Sequence, residues 1–278
     1  MMHSKDTTQW IFTIGRMNPP TSGHQGLIRK MMEEALKEGL DRVYVVLSST
    51  VDKKSNPLSC EKKKELLLGD VSNVVADLKR KWIAEKGEEA EKIRNCQVRV
   101  VCMDEPEIVS SEKYGTNPIL KCLYYILDRL EEGGREMDKT TLFVGEDRMD
   151  SYGWISTYAA NKLGRLTIVP VARPPGAISA TYVRSLAVDG NLSGFLAEME
   201  SVGVSGKRGE EVYSEIRRVL GAKLKRKLSP NKTEKLQRKS VVQKTPIATV
   251  EKPRSIESAN SEGYRTRSST RRKLGAIE

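Results

Sequence analysis

The sequence is poor in histidine, in aromatic residues and in cysteine at any metal-binding spacing. Only two of its 278 residues are histidine, His3 and His24, and aromatic residues make up 5%. Its four cysteines, Cys60, Cys96, Cys102 and Cys122, form no Cys-x-x-Cys pair and have no histidine nearby, which argues against a zinc site. A disulfide framework is not expected in a chain of this size either, so ordinary buried or half-buried thiols in a reducing compartment are the expectation. No apolar run long enough to span a bilayer occurs, and no apolar leader core stands at the N-terminus. The chain reads as intracellular, cytoplasmic or nuclear, with no membrane partner.

The body also lacks a net charge. The formal charge of +11 is confined to one end: residues 221–278 hold 16 Lys and Arg against 5 Asp and Glu, leaving 32 of each sign elsewhere. From Lys223 onward the chain is rich in Lys, Arg, Ser and Thr. Such a segment buries too little apolar surface to offset its ordering entropy, so a disordered basic tail is expected over 223–278. Its clusters Lys223-Leu224-Lys225-Arg226-Lys227 and Arg271-Arg272-Lys273 fit nuclear import or a polyanion contact, and equally a merely solvated tail.

Short aliphatic runs at 10–15, 42–48, 97–103, 140–145 and 165–170 alternate with helical patterns near 24–38, 59–69, 72–92, 117–132 and 147–162. Val43-Tyr44-Val45-Val46-Leu47 and Leu166-Thr167-Ile168-Val169 are apolar almost throughout, as strands covered on both sides are. The alternation predicts an α/β chain: a Rossmann-like, doubly wound parallel five-stranded sheet with helices on both faces. The charged stretch 70–95 reads as an exposed helical insertion. The expected organisation is a flexible N-terminus over 1–9, one domain over 10–222, and the tail. A homo-oligomer is left open.

One stretch carries most of the chemistry: Gly15-Arg16-Met17-Asn18-Pro19-Pro20-Thr21-Ser22-Gly23-His24. It follows a predicted strand and leads into an amphipathic helix. Backbone amides at a helix N-terminus face outward and the helix dipole favours negative charge there, so the junction suits phosphate. Pro19-Pro20 stiffens the loop, while Gly15 and Gly23 allow close backbone approach to a ligand. If a histidine does chemistry, it is His24. Alone, the same residues read as a Pro/Gly turn with a capping histidine.

This stretch resembles the first signature of the nucleotidyltransferases with the cytidylyltransferase-like, HIGH-type fold, with Thr21 at the first position of the family's His-x-Gly-His or Thr-x-Gly-His. Downstream, Ile178-Ser179-Ala180-Thr181-Tyr182-Val183-Arg184 resembles the same family's Ile-Ser-x-Thr-x-x-Arg. Ser179 is a natural N-cap. Arg184, one turn on, can reach a phosphate with two parallel hydrogen bonds. In isolation this too is a capped helix with a surface arginine.

Between the signatures, several pieces look like the nicotinamide-nucleotide adenylyltransferase branch. Gly145-Glu146-Asp147 stands where that branch often carries Gly-Ala-Asp, with Glu146 departing from the small residue. Asp147 would orient bound nucleotide, or simply cap a helix. Trp154 resembles a tryptophan that can stack on nicotinamide. Ser48 and the run Asn56-Pro57-Leu58-Ser59 look like the second-substrate loop, and Arg173 is grouped with them. The resemblance covers roughly residues 10–190.

The reaction implied is transfer of a nucleotidyl group from a nucleoside triphosphate, ATP first, to a small phosphorylated acceptor such as nicotinamide mononucleotide, with release of pyrophosphate. His24 would donate to the α-phosphate, Thr21 would add a hydroxyl, and amides from Gly15 through Met17 to Asn18 would cradle phosphates. Ile178, Ser179, Thr181 and Arg184 would hold the leaving pyrophosphate, and Arg16 either substrate. Mg²⁺ is expected with the triphosphate, and no acidic metal-ligand cluster is visible. Two alternatives remain: a cytidylyltransferase acting on a small phosphorylated alcohol, and a non-catalytic nucleotide- or nucleic-acid-binding protein acting through its tail.

Overall fold

The computed structural model describes residues 8–70, 72–131, 137–159 and 162–221. The expected tail at 223–278 and residues 1–7, His3 included, lie outside the described residues. Strands β1 (Thr8–Gly15), β2 (Arg42–Leu47), β3 (Gln97–Cys102), β4 (Met137–Gly145) and β5 (Arg165–Val171) pair in parallel in the order β3-β2-β1-β4-β5. This is the Rossmann-like sheet that the alternation predicts.

Period-two alternation splits the strand side chains between two apolar layers. Along β1, Ile11 faces one layer, and Trp10, Phe12 and Ile14 the other; along β2, Val43, Val45 and Leu47 alternate with Tyr44 and Val46. The first layer is covered by helices α1 (Ser22–Lys37), α2 (Cys60–Leu68), α3 (Val74–Lys86), α4 (Ala90–Asn95), α8 (Ala180–Val188), α9 (Leu192–Ser201) and α10 (Gly206–Leu220). The second is covered by α5 (Pro106–Val109), α6 (Pro118–Glu131) and α7 (Trp154–Ala159). In α1 the buried residues Ile28, Met31, Met32 and Ala35 fall at the spacing of a single helical stripe. Burying Ile28, Met31 and Met32 contributes roughly 1.5–3 kcal/mol of transfer free energy each. No helix among the described residues is long and apolar enough to cross a membrane.

Four expectations are corrected. First, the 70–95 stretch is not an exposed insertion: Val74, Val75, Leu78 and Trp82 of α3 are buried in the first layer. The helix also breaks at Gly87, whose φ of +41° lies in the left-handed region that glycine tolerates. Second, the 147–162 helix is a 3₁₀ turn over Glu146–Ser151 followed by the short α7. Third, α1 begins at Ser22, two residues ahead of the apolar pattern, because Thr21 caps it.

Fourth, two of the cysteines are paired. Cys60 and Cys102 form a disulfide with their Cα atoms 5.9 Å apart. The β2–β3 register sets Cys102 opposite Leu47, and the chain returns after β2 so that the Cys60 sulfur sits 3.8 Å from the Leu47 carbonyl. Tertiary pairing, invisible in the spacing, brings the two together. Cys96 and Cys122 are buried free thiols, pushed up to about 11 and about 12 by burial.

Candidate functional site

The chain leaves β1 for β2 on one side and reaches β4 on the other, so the strand order reverses between β1 and β4. Crevices beyond the C-terminal strand ends at such a switch point are where open α/β sheets bind ligands. Gly15 and Gly145 end these two strands; the residues from Arg16 to His24 follow the first and Asp147 and Trp154 the second, while Ser48 and Asn56 follow β2 and Arg173 to Arg184 follow β5.

His24 is the third residue of α1 and completes a capping box with Thr21. The Thr21 N–H donates to His24 Nδ1 at 3.1 Å, and the Thr21 hydroxyl lies 2.9 Å from the same nitrogen. With Nδ1 accepting a backbone N–H, the neutral ring carries its proton on Nε2. The capping and the chemical readings of this histidine are therefore compatible: Nδ1 fixes the ring, and Nε2–H remains a donor. Burial first, and then the charge of Arg173, push its pKa down to about 4, against the opposing pull of Asp147. The ring is neutral near pH 7.

Arg173 and Asp147 form an ion pair at 2.9 Å, joining the loop after β5 to the loop after β4. With Glu146 they line a cleft of about 420 Å³. Arg148 adds a second cation 3.6 Å from Asp147.

The distal motif docks on the first one. Ile178 donates its N–H to Ser22 Oγ at 3.0 Å. Arg184 donates from Nη1 to the Asn18 carbonyl at 2.6 Å and from Nη2 to Thr181 Oγ1 at 3.1 Å. Ser179 caps α8 by accepting from the Tyr182 amide at 3.1 Å. Two helix N-termini, those of α1 and α8, thus meet beside the β1 loop. Burial, then the nearby charge of Arg16, lowers the pKa of Arg184.

Other predicted site residues have internal partners. Met17 is buried with φ +41°, a left-handed backbone that turns its side chain into the core. Asn18 is buried and clamps the segment before α2, donating from Nδ2 to the Leu58 carbonyl and accepting from the Leu58 amide, both at 3.2 Å. Asn56 is buried in its own turn, its amide bonded to Asp52. Ser48 ties the β1 and β2 ends together by donating its N–H to the Gly15 carbonyl at 3.0 Å, and its hydroxyl pairs with Thr50. Trp154 is half-buried and donates to the Ser151 carbonyl at 3.1 Å. Arg16 is exposed at the mouth of the loop. A Cβ on Gly23 would meet only ordinary contacts, the nearest at 3.9 Å to Ala177, Ile178 and Thr21.

Three residues of this region escaped the sequence reading. Ser22 joins the motifs, and its one signal was a small hydroxyl residue directly after the cap. Tyr152 donates its hydroxyl to the Ile14 carbonyl at 3.1 Å, linking the β4 loop to the end of β1. Lys63 is fully buried, donates to the Ser48 carbonyl, and is pushed down to about 8 by burial against the opposing charge of Asp104. Nothing in a Lys-Lys-Lys run marks the middle one as buried.

Among the described residues one trio of metal-capable groups comes together, Cys60, Cys102 and Asp104. Two of these share the disulfide, and none lines the cleft.

No protein-family model matches the chain, and no curated protein matches it. Among solved structures it is similar to one described as "a Putative Nicotinate-nucleotide Adenylyltransferase from Vibrio parahaemolyticus". The two share 14% identity over 66% of this chain and 83% of that one, with a TM-score of 0.34. The likeness is slight.

Proposed function

We propose that the protein is a nucleotidyltransferase that moves a nucleoside monophosphate, AMP first, from the triphosphate to a phosphomonoester acceptor such as nicotinamide mononucleotide. The observation that carries this reading is the docking of the two motifs at the switch point, Ile178 N–H on Ser22 Oγ and Arg184 on the Asn18 carbonyl, beside a neutral histidine whose Nε2–H has no hydrogen-bond partner among the described residues.

In the proposed reaction an acceptor phosphate oxygen attacks the α-phosphorus in line, the bond to the bridging oxygen breaks, and pyrophosphate leaves. The acceptor is already anionic near pH 7, so no strong base is required. The protein's part is alignment and stabilisation of charge. His24 Nε2–H is the donor to the α-phosphate. A neutral imidazole donates without needing a proton from solvent, and its low pKa keeps it neutral at working pH. The N-terminus of α8, with Thr181 and Arg184, supplies the field for the leaving group. Arg184 exchanges or shares its Asn18 contact as the triphosphate enters. The carboxylates at the cleft are Glu146 and Asp147, the latter paired with Arg173, so Mg²⁺ is read as arriving on the triphosphate as part of the substrate.

The test is pyrophosphate release in a two-by-two screen: ATP or CTP against nicotinamide mononucleotide or glycerol phosphate. Release with ATP and the mononucleotide supports the reading. Release only with CTP and the phosphorylated alcohol moves the protein to the cytidylyl alternative. No release with any pair, in a chain that is folded, removes the enzyme reading.

A further inference from the structure

The Cys60–Cys102 disulfide lies where a covalent bond can hold the candidate site together. Cys102 is the last residue of β3 and Cys60 the first of α2. Two residues before Cys60, Leu58 gives both its amide and its carbonyl to Asn18, whose own carbonyl receives Arg184. One turn after Cys60, Lys63 reaches the Ser48 carbonyl, and the Ser48 amide is bonded to Gly15. The segment 48–63 thus touches the β1 loop at two places. The disulfide is the one covalent tie from that segment to β3 among the described residues, closing a separation of 42 residues.

We infer that Cys60 and Cys102 form a redox couple that regulates this site, with the oxidised form holding the Asn18–Leu58 clamp closed and the reduced form releasing it. The inference rests on the proposed function only for its consequence on nucleotide binding. The reductant is a dithiol. Cys60 and Cys102 are both buried, so attack requires the first turn of α2 to open: one thiolate of the dithiol then displaces one sulfur of the pair, the S–S bond breaks, and the second dithiol sulfur closes on the mixed disulfide. The products are the Cys60 and Cys102 thiols and a cyclic disulfide, with two electrons and two protons passed to the protein.

The partners of α2 suggest why opening would be local. Ser59 caps α2 by accepting from the Lys62 amide at 3.2 Å, so the helix start does not depend on the sulfur. Leu66 and Leu67 stay in the first apolar layer. Near Cys102, the Glu105 carboxylate accepts the Cys102 amide at 3.1 Å and lies 3.3 Å from Lys64. Reduction removes the tie at the first turn of α2, next to Leu58, and leaves the rest of the helix anchored. The other two cysteines are buried free thiols, one in each apolar layer, and serve as internal controls.

The experiment uses the full chain, isolated without reductant and then exposed to dithiothreitol under native conditions. After each step the chain is unfolded in denaturant, and its thiols are alkylated and located by mass spectrometry. Exchange of the Leu58 amide is followed by hydrogen–deuterium exchange, and Mg-ATP affinity by calorimetry. Two alkylated thiols before reduction, four after, about tenfold faster Leu58 exchange and about tenfold weaker Mg-ATP binding are expected, within the usual range for coupled sites. The Cys60→Ala/Cys102→Ala variant should match the reduced form with or without dithiothreitol, and Cys96→Ala/Cys122→Ala should still respond. Four thiols before reduction, a pair that resists dithiothreitol in the native chain, or equal Leu58 exchange in both forms overturns the inference. Equal Mg-ATP binding by both forms overturns the coupling to the site. If neither form binds Mg-ATP while Leu58 exchange responds, the proposed function falls and the redox couple stands.

Discussion

Ser22 Oγ accepts the Ile178 amide at 3.0 Å across 156 positions of chain. With the Arg184 bond to the Asn18 carbonyl, this hydrogen bond ties the start of α8 to the start of α1 and to the loop before it. Its alignment of two N-termini at the sheet's switch point is what distinguishes the region from an ordinary pair of capped helices.

Ser22→Ala removes that acceptor and leaves the Ile178 amide to water. A stability loss of about 1 kcal/mol is expected, as for one neutral hydrogen bond at a half-buried site. Mg-ATP affinity should fall further than that loss implies, because the α8 N-terminus loses its register. Denaturant unfolding and calorimetry on the same variant separate the two effects. Unchanged affinity would dissociate the contact from the site.

Asn18→Ala deserts both the amide and the carbonyl of Leu58, each bonded at 3.2 Å. Leaving two buried backbone groups unpaired costs about 2–4 kcal/mol, more than the truncation itself. Urea denaturation should show the midpoint falling with little change in slope. A loss under about 0.5 kcal/mol would mean that the clamp is not closed in solution.

Arg184→Lys keeps the charge and loses the fork that bridges the Asn18 carbonyl and the Thr181 hydroxyl. A lysine ammonium is a point donor on a flexible stem. At least tenfold weaker triphosphate binding is expected, with the folded structure retained by circular dichroism. Full affinity in the lysine variant would reduce Arg184 to a general positive charge.

His24 has its pKa lowered from 6.5 to about 4. Between those values the unfolded chain binds the proton and the folded one does not. The contribution of this residue to stability is thus fully present above about pH 6.5 and is lost as the pH falls through that window to about 4. NMR titration of the ring proton, assigned with a His3→Ala variant, should give a midpoint near pH 4. A midpoint above 6 would place the ring in open solvent.

The sheet was legible because its strands are short aliphatic runs with helical stripes between them, and both patterns survive in one dimension. The burial of the 70–95 stretch was not legible because Lys and Glu surround an apolar stripe of only four residues, Val74, Val75, Leu78 and Trp82. The two phosphate-type motifs were legible as patterns, but not their docking, which depends on a serine hydroxyl meeting an amide 156 positions away. The Asn18 side chain clamps the Leu58 backbone and the Asn56 amide binds the Asp52 carboxylate, pairings with no sequence signal because a polar side chain in a loop looks the same whether it faces a ligand or the protein. The disulfide had no signal at all: it follows from the parallel register of β2 and β3 and the return of the chain after β2.

The most direct test of the central claim is the turnover of His24→Ala with ATP and nicotinamide mononucleotide, measured as pyrophosphate release beside the wild-type chain. A fall of about a hundredfold or more, the scale of losing one preorganised donor to a developing negative charge, is the predicted result. A variant that is folded and turns over at close to the wild-type rate would contradict it, and would leave His24 as the cap of α1 and nothing more.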